Sequence, residues 1–291
     1  MSLPSTPYIG RFAPSPSGPL HIGSLVTALA SYLDARANRG QWLLRMEDID
    51  PPREQAGATQ IILNSLINHG LLWDGDVFWQ SQRSAAYDQQ LDQLLTNDLA
   101  YWCDCSRRQL GPAKGLHTGS CRHPGEPEQS AIRLRIGDRP VEFNDRLQGK
   151  QIRHGADIGD PILKRKDGLY AYQLAVVVDD AAQGITDIVR GVDLLDASAW
   201  QIHLQNAIGL PPVRYGHIPV IVGEDGHKLS KQSFAPALDD SSAYNNLCLA
   251  LRYLQQTPAP DHIDTIPALL NWATEHWRLQ NIPTGRQICP R

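Results

Sequence analysis

A chain of 291 residues with a formal net charge of −4, 42% hydrophobic and 20% charged residues has room for about two domains and the composition of an ordinary globular protein. No apolar run approaches the ~18 residues of a membrane helix and no basic-apolar leader opens the chain, so a membrane role is excluded and a cytoplasmic location is expected. The slightly acidic balance excludes binding nucleic acid by bulk charge and leaves only local basic clusters, such as Arg107-Arg108 with Lys114 and Arg122, or Lys164-Arg165-Lys166.

Residues 1–7, with two prolines and two serines, make a loose arm. Tyr8 to Phe12 is short, apolar-rich and β-compatible. In the next loop, Pro14, Pro16 and Pro19 fix φ and remove donors, while Gly18 permits a conformation other residues resist. Helical periodicity then starts: Ile22, Leu25, Val26, Leu29 and Leu33 share a face, and Gly40 marks the stop. A strand, a tight loop and a helix start make an anion site, because free N–H groups and the helix dipole point at whatever docks there. His21 at that junction can donate to a phosphate oxygen, or serve only as a solvated or capping residue.

Gln41 to Met46 reads as a buried strand that ends in Glu47-Asp48-Ile49-Asp50, and carboxylates at the carboxyl end of such a strand sit where ligands bind. Alternation puts Arg45 and Glu47 on one side; taken alone they form an intrastrand charge pair. Pro52 to Gly70 and Ser84 to Leu99 are predicted amphipathic helices, separated by the turn Trp73-Asp74-Gly75-Asp76. From Tyr101 to about Asp167 the texture changes to Cys, Gly, His, Pro and Arg, with strands such as Ala131 to Arg135, and reads as an insertion.

Apolar patterning resumes at Tyr170 to Asp180. Ile185 to Gly191 is a predicted strand and Leu195 to Ile208 a helix, so Arg190 closes its strand much as Glu47 closes the earlier one, and both face one crevice if the sheet is parallel. An apolar strand, Ile218 to Val222, leads into His227-Lys228-Leu229-Ser230-Lys231-Gln232. Its lysines are either surface charge or, beside a His-x-Gly helix start, the positive charge a phosphoryl-bearing transition state needs. Ser241 to Leu254 and Ile266 to Leu279 are further predicted helices without a catalytic signature. The economical fold is a doubly wound α/β nucleotide-binding sheet.

Five cysteines are an odd count, and Cys103-x-Cys105 is too close for a routine bridge, so a disulfide scaffold is improbable. Cys103, Cys105 and Cys121 with His117 and His123 instead offer thiolate and imidazole, the donors zinc takes in closed tetrahedral sites. Reduced free thiols are the alternative, and either histidine could be the fourth ligand. Cys248 and Cys289 lie far away in sequence.

His21-Ile22-Gly23-Ser24 and Lys228-Leu229-Ser230-Lys231-Gln232 resemble the His-Ile-Gly-His and Lys-Met-Ser-Lys-Ser signatures of class I aminoacyl-tRNA synthetases. Arg11-Phe12-Ala13-Pro14-Ser15-Pro16-Ser17-Gly18 with Leu44 to Pro51 is similar to the glutamyl branch of that family; Ser24, Leu229 and Gln232 are departures. The resemblance implies a Rossmann-type parallel sheet split by a zinc-containing insertion, with a short helical C-terminal region. The expected divisions are 1–100 and 168–235 for the two halves of the catalytic domain, 101–167 for the insertion and 236–291 for the helical end.

The activity implied is activation of L-glutamate by ATP with Mg²⁺ to give glutamyl-adenylate. Arg11 and Arg190 would each grip a carboxylate through a guanidinium fork, Glu47 would take the α-ammonium, and Tyr172 would supply a phenol and an apolar wall. Phe12, Ala13, Pro14 and Ser15 complete the glutamate set. His21, Gly23, Lys228 and Lys231 would hold ATP, with His21 and Lys231 catalytic. One structural zinc would sit on Cys103, Cys105, His117 and Cys121, His117 being preferred to His123 because imidazole is a better ligand than the tyrosine that relatives carry at that place. Val176 stands where full-length enzymes resemble Tyr-x-x-Ala-Asn-Val-Val-Asp-Asp, which implies weaker glutamate binding.

Residues 236–291 are neither basic nor long enough for the helical anticodon reader of the full-length glutamyl enzymes. The short form with a Cys-x-Cys insertion resembles the branch that places glutamate on queuosine in the anticodon of tRNA(Asp), and a monomer is expected. The rivals are a truncated enzyme charging a tRNA 3′ end, a pantothenate-synthetase-like ligase and a silent RNA-binding module.

Overall fold

The computed structural model describes residues 7–105, 117, 129–223 and 236–288. Residues 1–6 of the arm, the Arg107-Arg108 cluster with Lys114 and Arg122, the ligand candidates Cys121 and His123, Cys289, and the lysine segment with Lys228 and Lys231 lie outside the described residues.

The first βαβ unit is β1 (Ile9–Phe12), α1 (Ile22–Ala37) and β2 (Gln41–Met46), with β1 and β2 parallel and Arg11 in register with Leu43. Between α1 and β2, Gly40 lies so close to the Tyr8 backbone that a Cβ would overlap its carbonyl, which is why the turn has no side chain. β3 (Phe78–Trp79) adds in parallel to the far side of β2. Later in the chain β9 (Asp187–Gly191) and β10 (Arg214–Ile218) pair in parallel, with Arg190 in register with His217. β9 lies alongside β1: the Thr186 N–H donates to the Ile9 carbonyl at 2.9 Å, and α1 packs against both strands. The order β3-β2-β1-β9-β10 therefore puts the change of winding direction between β1 and β9, the place where an open parallel sheet leaves a crevice.

α2 (Ala58–Asn68) connects β2 to β3, and between the two parallel segments the chain runs through α3 (Ser84–Thr96) and the strands β4 (Ala100–Cys103), β5 (Ala131–Leu134), β6 (Val141–Asp145) and β7 (Gly149–Arg153). A single-turn helix α4 (Gly155–Ile158) precedes β8 (Ile162–Lys164). Here all pairing is antiparallel, β4-β5-β8 as one sheet and β6-β7 as a hairpin. The chain then enters α5 (Tyr172–Ala182) and, after β9, α6 (Leu195–Ala207).

Several element boundaries differ from the sequence expectation, each for a local reason. The helix predicted from Pro52 begins only at Ala58, after a 3-10 turn Pro51–Arg53 and a Gly57 at φ +78°. The strand predicted over Ile218 to Val222 is broken at Pro219, which has no N–H to give a ladder. Beyond it β11 (Val220–Ile221) pairs instead with β12 (Gln287–Ile288) near the C-terminus.

The periodic face of α1 is buried under α7 (Ala243–Tyr253) and α8 (Ile266–Glu275): Leu25, Leu29 and Leu33 share one apolar core with Leu247, Leu251, Leu269 and Leu270. Burying a Leu side chain contributes roughly 1.5–3 kcal/mol, so the C-terminal helices and α1 stabilise one another. Cys248 belongs to this core, apart from the other thiols. A second core, around Tyr87, Leu91, Leu134, Leu163, Leu174 and Leu204, joins α3, α5 and α6 to the antiparallel strands. Buried Asp34 cross-links distant parts, accepting from Tyr8 Oη, from both Arg146 Nη atoms at 2.6 and 3.1 Å, and from Trp277 Nε1 at 3.0 Å. Among the described residues no helix is long and apolar enough to cross a membrane.

Candidate active site

A cavity of about 660 Å³ opens at the carboxyl ends of β1, β2 and β9, lined by Arg11, Phe12, Ala13, Ser15, Glu47, Tyr172 and Arg190 among others. A smaller one of about 290 Å³ adjoins it over the start of α1, lined by Phe12, Pro14, Ser15, His21, Gly23 and Ser24. Phe12, Ser15, Ser17, Thr27, Gly191 and Asp193 face both. The parallel pairing thus brings the strand ends of Arg11, Glu47 and Arg190 together, as their positions in the sequence required.

The loop after β1 forms the wall between the two cavities. The Pro14 carbonyl accepts from the Glu47 N–H at 3.0 Å, fastening the loop to the end of β2, and Gly18 sits at φ +128° with its open side against the Gln55 amide. His21 is the N-cap of α1: its Nδ1 accepts from the Ser24 N–H at 3.3 Å. With Nδ1 accepting, the ring proton belongs on Nε2, which makes that nitrogen a donor. The capping and the donating readings of His21 are therefore compatible within one side chain.

At the other end, charge is buried in a dense network. Asp180 at the end of α5 accepts from Arg11 Nε at 3.1 Å and Nη2 at 3.4 Å and from Arg45 Nη1 at 2.7 Å. Burial alone raises an aspartate pKa; here the two guanidinium groups outweigh it and hold Asp180 below the usual carboxylate range. Arg45 is fully buried, bonded also to Gln183 Oε1 at 2.9 Å and, more loosely, to Glu47 at 3.5 Å. The intrastrand Arg45–Glu47 pair exists, but Asp180 is the nearer partner. Burial raises the Glu47 carboxyl even though Arg45 and Arg11 pull it down.

Arg190 is held on four sides. Its Nε donates to His217 Nε2 at 3.0 Å, Nη1 to Tyr172 Oη at 3.2 Å, and Nη2 to Ser198 Oγ at 2.9 Å and Gln201 Oε1 at 2.7 Å. Burial pushes the Tyr172 phenol up, so it stays protonated. These contacts narrow the fork expectation for Arg190 and leave it open for Arg11. The Nε–Nη2 edge of Arg11 is turned on Asp180, and Arg190 has one Nη1–H left over from its partners among the described residues. Arg11 thus keeps its Nη1–Nη2 edge for a ligand carboxylate, whereas Arg190 keeps one N–H, on Nη1.

Sequence reasoning did not assign a role to Asp180, Ser198, Gln201 or His217. Asp180 ends an apolar run and His217 interrupts one, Tyr215 to Ile218, and a polar residue in such a run is the signal available.

In the antiparallel region, Cys103 Sγ, Cys105 Sγ and His117 Nε2 lie within 4.8 Å of one another. His117 Nδ1 is 2.7 Å from Tyr101 Oη, which in turn donates to Asp160 at 2.7 Å. Because the phenol spends its proton on Asp160, Nδ1–H donates to the phenol oxygen, and Nε2 presents its lone pair to the Cys105 thiol 3.7 Å away. A carboxylate-backed imidazole beside thiols is the arrangement a zinc ligand set has, and the donors present fit the metal.

The family described as tRNA synthetases class I (E and Q), catalytic domain, matches residues 9–247, and the chain belongs to it. Its sequence is 50% identical over 287 residues, 98% of each chain, to the glutamyl-Q tRNA(Asp) synthetase of Ectopseudomonas mendocina. It is 52% identical over 279 residues, 95% of each chain, to that of Pseudomonas aeruginosa. A glutamate tRNA ligase from Elizabethkingia meningosepticum, solved in complex with its amino acid, superposes with a TM-score of 0.79 at 26% identity, covering 97% of this chain and 67% of that one.

Proposed function

We propose that this protein activates glutamate with ATP as glutamyl-adenylate and transfers it to queuosine in the anticodon of tRNA(Asp). The observation that carries the reading is the pairing of a cavity bearing two buried arginines, Glu47 and Tyr172 with a second cavity at the His21 helix start, in a chain half identical to glutamyl-Q tRNA(Asp) synthetases over nearly its whole length.

In this reading the amino acid lies in the larger cavity. Arg11 meets one carboxylate through its Nη1–Nη2 edge and Arg190 the other through Nη1, Glu47 takes the ammonium, and the carbon chain rests against Tyr172 and the Phe12-Ala13 backbone. The ATP, brought as its Mg²⁺ complex, spans toward the smaller cavity, where Gly23 permits close approach and His21 Nε2–H donates to the α-phosphate. The amino-acid carboxylate oxygen attacks the α-phosphorus, the bond to the leaving pyrophosphate breaks, and His21 with Lys228 and Lys231 stabilises the charge that develops. A queuosine ring hydroxyl then attacks the adenylate carbonyl and AMP leaves.

Zinc on Cys103, Cys105, His117 and Cys121 would be structural, since four protein ligands leave no open position for water. Its contribution is to hold the antiparallel region in shape. The expected metal content is one zinc per chain, lost when Cys103 and Cys105 are both changed to Ser; freshly purified protein without zinc rejects the site.

The function is tested by pyrophosphate exchange with each amino acid, expected with glutamate alone and without RNA. Transfer is tested with labelled glutamate and tRNA from cells that do and do not make queuosine. Label on queuosine-free tRNA would favour acylation of a 3′ end instead.

A further inference from the structure

His217 sits in the middle of β10, fully buried, and its register partner on the neighbouring parallel strand is Arg190. Register partners in a parallel pair project from the same face, so the imidazole and the guanidinium meet by construction. Arg190 Nε–H points at His217 Nε2 at 3.0 Å. Behind the ring, His217 Nδ1 lies 2.6 Å from Asp145 Oδ2, at the end of the antiparallel strand β6. The other oxygen of Asp145 accepts from the backbone N–H groups of Leu147, Gln148 and His217 at 2.9, 2.8 and 3.1 Å.

This wiring permits one protonation state. Burial raises an aspartate, but the bond from His217 and the N–H groups of Gln148 and Leu147 prevail and hold Asp145 below the usual range, so it accepts and Nδ1 carries the proton. Nε2 is then a lone-pair acceptor for Arg190. Ser198 Oγ, also 3.0 Å from Nε2, already donates to the Leu194 carbonyl and accepts from Arg190 Nη2.

We infer that His217 is a positioning residue for glutamate binding: with Asp145 it forms a buried relay that sets the orientation of the Arg190 guanidinium, and its neutral form is the one that does so. The inference rests on the reading of Arg190 as a glutamate ligand. Nothing in the relay touches substrate, because His217 has no exposed surface. Its effect passes through the Nη1–H that Arg190 has left over from its partners among the described residues. A guanidinium rotated by even a small angle about that contact loses the carboxylate, and a charge-assisted bond is strongly directional.

The relay also predicts a pH dependence. Adding a proton to His217 would aim an N–H at the Arg190 Nε–H and place two cations side by side in a buried space. Burial and Arg190 lower the His217 pKa, with Asp145 opposing, so the ring is neutral at physiological pH and charges only on acidification below the ordinary histidine range. The groups facing it are Asp145 from β6, Arg190 from β9, Asp193 just beyond that strand, Ser198 from α6 and the stacked Tyr215 ring from β10 itself. Glu47, raised by burial, titrates separately at the ammonium end.

The test is glutamate-dependent pyrophosphate exchange with the full chain, comparing wild type, His217→Ala and His217→Gln at pH 5.5 to 8. The glutamine amide oxygen can replace Nε2 as acceptor for Arg190 but cannot titrate. His217→Ala is expected to raise the KM for glutamate about ten- to hundredfold, the effect of losing a hydrogen bond to a charged group, with kcat and the KM for ATP little changed. His217→Gln should recover most of that loss and should lack the rise in glutamate KM that accompanies charging of His217 on acidification. Unchanged glutamate KM in folded His217→Ala, or equal rises for ATP and glutamate, would overturn the inference. If the alanine variant does not fold, an unchanged glutamate KM in folded His217→Leu, which fills the space without offering an acceptor, would overturn it instead. Wild-type protein without glutamate-dependent exchange would overturn the glutamate reading and the relay with it, whereas exchange insensitive to His217 overturns the relay alone.

Discussion

At the arginine-lined end of the crevice, Arg11, Arg45, Asp180, Arg190 and His217 are all buried and held by side chains from strands and helices far apart in the chain. At the helix-start end the smaller cavity is bounded by a proline-rich loop and the first turn of α1, with His21 fastened to the Ser24 backbone three residues away. The first is assembled from long-range side-chain pairs, the second from local backbone geometry. In the proposed function the difference separates specificity from reactivity. A side-chain network with fixed charges can tell a second carboxylate from an amide, because an unpaired buried guanidinium is costly. A helix start binds any phosphate and needs only the right turn.

The largest effect is expected at Asp180. Asp180→Ala strands Arg11 and Arg45 without their shared counter-ion, and breaking such a buried pair costs about 3–5 kcal/mol. Chemical denaturation should show that loss, and glutamate-dependent exchange should fall below detection. A stable, active Asp180→Ala would show that the network is not what builds this end.

His21 separates the two functions combined in one side chain at the other end. His21→Asn keeps an N-cap acceptor and should hold stability near wild type, while exchange falls roughly 10²–10³-fold, as for loss of one preorganised transition-state donor. His21→Ala should lose the same activity and, in addition, about 1 kcal/mol of stability. Equal exchange rates in wild type and His21→Asn would reduce the residue to a cap.

Glu47→Gln should raise the KM for glutamate about ten- to hundredfold with little change for ATP, from loss of a charge-assisted bond to the ammonium. Because burial raises Glu47, the wild-type affinity should also weaken as pH falls through its elevated pKa, a slope the Gln variant lacks.

The smallest effect belongs to a pair outside both ends. Arg36 and Asp74, 2.7 Å apart and partly exposed, should contribute no more than about 1 kcal/mol, and high salt should erase it. Burial opposes, but the bonds from Arg36 and the Trp42 N–H lower the Asp74 pKa. Its contribution is therefore present above the ordinary aspartate pKa of about 4 and disappears as pH falls through the lowered value, a loss that thermal unfolding of wild type and Asp74→Asn would compare.

Much of this molecule is legible without coordinates because the signals are local. Apolar period and stop residues in the sequence determine α1, the strand–loop–helix run puts His21 at a helix start beside a small cavity, and strand-end positions assign Arg11, Glu47 and Arg190 to one crevice. Cys103, Cys105 and His117 announce a soft-metal donor set by type and proximity. Only the tertiary structure decided which way each guanidinium turns. Arg11 reaches Asp180 across 169 residues, and His217 joins Asp145 across 72, so no sequence window contains both partners. The same holds for Pro219, whose break in the predicted strand matters because β12 is there to pair with Val220 and Ile221. Local chemistry is written in neighbouring residues; the orientation of a buried charge depends on what the folded sheet brings beside it.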